Sequence, residues 1–180
     1  MVTSYIYEVP IGKGRKYLGA SNRIVDGILG GWQINGITTA QNGMPFTPTI
    51  STDVINSGPG GALRPDRLAS GQLASGQTIR HWFDVSAFAV PGTLGTAPYQ
   101  FGNSGRNILR GPDLVDFDFS VFKTYSITER VKLAFRSEFF NIFNHPNFNL
   151  PNAAIDTPQA GIITGVRAPR QIQFGLKLTF

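Results

Sequence analysis

Apolar and polar residues alternate at period two in three stretches toward the end of the chain. In residues 171–180, Ile172, Phe174, Leu176, Leu178 and Phe180 alternate with Gln171, Gln173, Gly175, Lys177 and Thr179. Successive side chains of a strand point to opposite faces, so this segment has one apolar face and one wet face. In residues 114–125, Val115, Phe117, Phe119 and Val121 share one face and Asp116, Asp118 and Ser120 the other. In residues 131–143, Val131, Leu133, Phe135 and Phe139 oppose Lys132, Arg136 and Glu138. The short polar connection between these last two stretches predicts a hairpin.

The first third is less regular. Residues 2–9 are rich in β-branched and aromatic side chains and predict a strand, broken by the Gly- and Lys-rich segment 10–16. Residues 23–29 predict one or two helical turns with Asn22 as N-cap, ended by Gly30 and Gly31. Residues 32–41 form a further strand with Gln33, Asn35, Thr39 and Gln41 at period two. Residues 43–112 are long and irregular, with the run Ser57-Gly58-Pro59-Gly60-Gly61. Such lengths are uncommon in compact domains unless the loop is functional or disordered. Trp82, Phe83, Asp84 and Phe88 predict local anchoring within it. A second long loop covers 144–168.

Composition narrows the class. Charged residues are 15% of the 180, few for a water-soluble protein, and Phe alone supplies 14. Cys is 0, which removes disulfides, thiolate metal sites and cysteine nucleophiles. The net charge of +5 fits a generic basic surface or attraction to anionic lipid headgroups better than nucleic acid, and no nucleic-acid partner is expected. No stretch approaches the ~20 apolar residues of a membrane helix, but a barrel strand needs only about 10 alternating ones. Residues 1–5 lack the basic start and apolar core of a secretory signal, so an exported chain is expected to be a fragment of a longer one.

Candidate chemistry is thin. Asp116, Asp118 and Glu138 fit a carboxylate pair for glycosidic acid–base work, or a polar sheet face balanced by Lys132 and Arg136; the second reading is preferred. His81 and His145, the only histidines, lie in different loops, and no metal site is expected. Residues 12–17 lack the third glycine of a dinucleotide loop and the end of a P-loop. Ser104 and Ser120 lack a nucleophile elbow. No catalytic residue and no cofactor are expected. Phe139 and Phe143 fit an aromatic girdle, while Phe148 and its neighbouring asparagines also fit a carbohydrate-stacking platform.

Several segments coincide with one family. Ser4-Tyr5-Ile6-Tyr7-Glu8-Val9-Pro10, Leu29-Gly30-Gly31-Trp32-Gln33-Ile34-Asn35-Gly36 with Gly43-Met44-Pro45-Phe46-Thr47, Gly105-Arg106-Asn107-Ile108-Leu109-Arg110-Gly111-Pro112, Arg136-Ser137-Glu138-Phe139-Phe140-Asn141-Ile142-Phe143-Asn144-His145-Pro146, and Pro169-Arg170-Gln171-Ile172-Gln173-Phe174 resemble the late barrel of Oar-like TonB-dependent receptors with a carboxypeptidase-regulatory-like domain. The resemblance implies an all-β fold: about five C-terminal antiparallel strands of a transmembrane β-barrel, with long extracellular loops, plug and regulatory domain lying upstream. It implies a bacterial outer-membrane location and energy-coupled uptake of an unidentified small ligand. The implied partners are outer-membrane lipid, the barrel-assembly machinery, and the TonB complex through the upstream region. Val115, Phe117, Phe119, Val121, Val131, Leu133 and Phe135 are then expected to face lipid. Ile172, Phe174, Leu176, Leu178 and Phe180 are expected to form the assembly signal. Ligand-contacting residues are not assigned. The alternative, read from alternation alone, is a soluble β-sandwich that binds carbohydrate.

Overall fold

The computed structural model describes residues 1–20, 22–58 and 63–180. The Pro59-Gly60-Gly61 part of the irregular 43–112 stretch lies outside the described residues. The elements run β1 (Val2–Glu8), α1 (Arg23–Leu29), β2 (Trp32–Gln41), β3 (Pro45–Phe46), β4 (Asp66–Arg67), β5 (Phe88–Ala89), β6 (Leu109–Arg110), β7 (Leu114–Ser126), β8 (Lys132–Phe140) and β9 (Gln171–Thr179). The chain forms two compact units. One is Met1–Gln41, Val115–Pro146 and Ala168–Phe180; the other is Asn42–Leu114 and Asn147–Arg167.

In the first unit, β1, β2, β7, β8 and β9 make one five-stranded sheet in that spatial order. The pairs β1–β2, β7–β8 and β8–β9 are antiparallel. So is β2–β7: the Thr124 N–H donates to the Gly31 carbonyl at 3.0 Å and the Asn35 amide to the Ser120 hydroxyl at 3.3 Å, so one strand number rises as the other falls. Each strand therefore neighbours the previous strand of the sheet, an up-and-down meander. Connections 9–31 and 127–131 leave one end of it, and 42–113 and 141–170 leave the other. β2, β8 and β9 are 10, 9 and 9 residues long, matching the roughly 9–11 residues of a tilted transmembrane strand.

The soluble sandwich does not hold. A sandwich needs a second sheet packed about 10 Å from the first. Among the described residues the other sheets are only the two-residue pairs β3–β6 and β4–β5.

Local chemistry shapes the ends of the meander. Asn22 caps α1 as the sequence predicts, its side chain accepting from the Val25 N–H. Beyond β8, Asn141 and Asn144 adopt left-handed backbone angles, φ 48° and 53°, which asparagine tolerates better than most residues. The Asn141 side chain accepts from the His145 N–H and donates to the His145 carbonyl, and Asn144 accepts from the Arg170 N–H. That ring of bonds returns the chain to the start of β9, and it explains the asparagine spacing of the 136–148 segment. Val131 departs from expectation. It lies just outside β8, and its carbonyl accepts from the Ile127 and Thr128 N–H groups to close the hairpin turn.

The second unit contains the hydrophobic core. Phe46, Phe83, Ala87, Phe88 and Leu109 cluster there, with Phe83 only 1% exposed. Ile50 and Ile163, the remaining large buried aliphatics, belong to the same unit. The loops read as irregular are thus a folded body. Two segments of the family resemblance pair within it: β3 against β6, Phe46 opposite Leu109 and Pro45 opposite Arg110. A side chain at Gly43 would collide with the Gly111 carbonyl, so backbone meets backbone there. Gly71, at φ +73°, leaves room for the Phe88 ring, which a methyl group would meet at 2.5 Å.

Candidate functional site

Strand register sorts the sheet into two chemical faces. Partners directly opposite in an antiparallel pair point the same way. Phe119 opposes Phe139, which opposes Ile172; Leu133 opposes Leu178, and Phe135 opposes Leu176. Val115, Phe117, Phe119, Val121, Leu133, Phe135, Ile172, Phe174, Leu176 and Leu178 therefore share one face, and Phe135 stacks on Phe174 at 6.3 Å. On this face Phe174 is 70% exposed. An apolar face left exposed along β9 is the pattern a barrel strand requires and a water-soluble sheet avoids.

Aromatic residues gather at both ends of that face. Phe117 packs edge-on against Phe143 at 5.1 Å, and the Phe119 ring lies tilted against Phe139 at 6.2 Å. At the other end lie Tyr7, Trp32 and Tyr125, with the Lys123 ammonium 4.6 Å over the Trp32 ring. Phe180 follows Leu178 at the same parity. The two bands match the girdles that flank the apolar zone of a barrel. Tyr5 belongs to this face too, and its ring lies over Gly36, directly opposite, where any side chain would collide with it.

The reverse face carries a polar row that crosses four strands. Asn35 donates to the Ser120 hydroxyl; Ser120 opposes Glu138; Glu138 opposes Gln173 and accepts from its amide. Gln33 extends the row by donating to Asn35 at 2.6 Å. One row along, the Arg136 guanidinium sits 5.1 Å over the Phe122 ring, with Gly175 opposite Arg136. Sequence alternation shows these polar positions but not which ones meet, because register is a property of pairing.

The carboxylates do not assemble into an acid–base pair. Asp118 accepts from the Asn141 N–H at 3.0 Å, Asp116 from the Phe117 N–H at 3.1 Å, and Glu138 is engaged by Gln173. Lys132 and Arg136 stand opposite Ser126 and Phe122, not opposite the acids, so the expected cross-hairpin balance is a shared face without contact. Among the described residues no group of three or more His, Asp or Glu is placed to hold a metal ion. Phe148 forms an isolated bridge with Val166 in the second unit.

That unit has its own polar clamp, invisible in the sequence. The Asp156 carboxylate accepts from the Ser51 and Thr52 N–H groups and from the Thr52 hydroxyl, all at 2.8–2.9 Å. Partial burial pushes its pKa up, but the Ser51 N–H and the Thr52 hydroxyl and N–H outweigh this, and the net shift is downward. Asp53 is also held low, chiefly by the Ser57 N–H and further by those of Ile55 and Gly58. A depressed folded pKa means stabilisation that is complete above the unfolded value of about 3.9 and lost as pH falls through the folded value. Asp156→Asn is expected to weaken the clamp by about 1–2 kcal/mol, since hydrogen bonds to a charged group exceed neutral ones. Hydrogen exchange at the Ser51 and Thr52 amides checks it: faster exchange in the variant at pH 6, with the difference closing as pH falls through the depressed folded pKa of Asp156.

A family model described as an outer membrane beta barrel domain matches residues 1–173. The chain belongs to that family. The outer membrane beta barrel domain is accordingly a bacterial outer-membrane protein, and its match runs from β1 into β9. No curated protein and no solved structure matches it significantly.

Proposed function

We propose that this outer membrane beta barrel domain is the C-terminal part of the barrel of an Oar-like TonB-dependent receptor that takes up a small ligand. The observation that carries the reading is the asymmetric meander: the 127–131 turn and the 9–31 connection with α1 at one end of the sheet, and at the other the longer connections that fold into a unit with its own core. Barrels of the outer membrane have short periplasmic turns and long extracellular loops. On this reading β9 runs inward, the folded loop unit faces the exterior where ligand is captured, and the polar row Asn35–Ser120–Glu138–Gln173 lines the lumen. The apolar face meets lipid.

The open sheet supports a larger assembly. β1 and β9 each have one unpaired edge, and an open edge is not tolerated in hydrocarbon. Further strands, as in a 22-stranded plugged transporter, would close it. The reading frame upstream of the Met1 codon tests this. A continuous plug domain and TonB box support the receptor; an in-frame stop with a secretory signal directly before β1 overturns it.

Phe180 acts in assembly on this reading. Deleting it in the full receptor is expected to lower the amount of folded, heat-modifiable barrel in the outer membrane several-fold, because a terminal aromatic anchors the edge strand at the interface. Ligand affinity among folded molecules should not change. Normal abundance with weakened uptake would reverse the assignment.

A further inference from the structure

We infer that the cleft between α1 and the apolar sheet face is a binding site for one membrane phospholipid, its acyl chain in the cleft and its phosphate on Arg23 and Lys123. The inference rests on the reading that this face meets lipid. The open cleft measures about 430 Å³ and is lined by Ile24, Ile28, Tyr125, Leu133 and Phe135, with the cations Arg23 and Lys123 also in its lining. The four β7 and β8 residues among these all lie on the apolar face, since Lys123 opposes Phe135 and Tyr125 opposes Leu133.

The cleft is built, not collapsed. α1 has seven residues and none is buried, too short to hold itself as a helix. Polar staples hold it instead. Lys123 donates to the Ile28 and Gly30 carbonyls at 3.1 and 2.7 Å. The Trp32 indole donates to the Ile28 carbonyl, and Arg23 to the Ile127 carbonyl. Gly27 lets the Tyr125 ring lie against the helix backbone. These contacts fix the helix while Ile24 and Ile28 stay 75% and 62% exposed. A polar clamp that keeps apolar walls apart fits an apolar occupant.

Charge selects the occupant's head. An ammonium keeps three donors and a guanidinium five, so Lys123 and Arg23 each retain donors beyond their staples. Lys13, Arg15, Lys16 and Arg130 lie in the two connections at the same sheet end, against Glu8, Asp26 and Glu129; Arg15 pairs with Glu8 at 3.2 Å. Basic residues lining and flanking an apolar slot at the sheet end that carries Tyr7, Trp32 and Tyr125 suit a phosphate at headgroup depth with its chain in the membrane.

The test uses the full receptor, purified and exchanged through detergent after incubation with phosphatidylglycerol, with retained lipid quantified by mass spectrometry. The parent should retain about one tightly held phosphatidylglycerol, and Arg23→Glu should lower its retention about tenfold. Lys132→Glu, at the same end but on the polar face, should retain it like the parent. Inorganic phosphate at matched concentration should not displace it. Equal retention by Arg23→Glu, or displacement by phosphate alone, overturns the site. Spin labels at Phe174 separate this from the underlying reading: lipid contact there with unchanged Arg23→Glu retention refutes only the site, and water contact refutes the lipid-facing sheet itself.

Discussion

Phe83→Ala is expected to unfold the loop unit, with a loss of about 3–5 kcal/mol, the range for removing a buried phenylalanine. Phe83 is 1% exposed and meets two other rings edge-on: Phe46 at 5.8 Å and Phe88 at 6.1 Å. Alanine removes both contacts and leaves a cavity between β3–β6 and β4–β5. Trp82, whose indole donates to the Arg110 carbonyl at 2.8 Å, cannot swing in to fill it without breaking that bond. The loss is a large part of the stability of any small domain. Limited proteolysis of whole cells reads it, with new cleavage within 42–114 while strand segments stay protected. Unchanged cleavage would show that the phenylalanine cluster does not hold the loops together.

Phe174→Arg is expected to cost about 2–4 kcal/mol if the residue sits near mid-bilayer, as an arginine on the lipid face of a barrel does. Phe174 is one of the two central apolar positions of β9, stacked on Phe135 and opposite Ser137. Lys177→Glu, a charge change on the reverse face, should cost little by comparison. Urea titration of the reconstituted receptor, followed by tryptophan fluorescence, measures both. The same small cost for each would mean that both faces are wet.

The strands were largely legible in the sequence because period-two alternation is local and survives without knowledge of partners. The spans of β1, β2 and β9, the cap at Asn22 and the end of α1 at Gly30 all follow from residue type and spacing. The apolar face could also be named residue by residue, apart from Val131, which the hairpin turn claims. The loops were not legible for the opposite reason. Their order comes from contacts between distant segments, such as Asp156 with Ser51 and Thr52, or Phe46 with Leu109, and no local periodicity announces them. Their prolines and glycines suggest irregular chain when they in fact permit close backbone packing.

By itself, the sequence determined that this protein has antiparallel strands with one apolar face, aromatic ends and little charge. Those properties depend only on which side chains sit two apart. The tertiary structure alone decided where the buried core lies, which polar side chains form the row across the sheet, and that α1 lies against the apolar face with an open cleft beneath it. Each depends on register or on pairing across long stretches of chain, and a one-residue slip in register would turn every side chain of a strand to the other face.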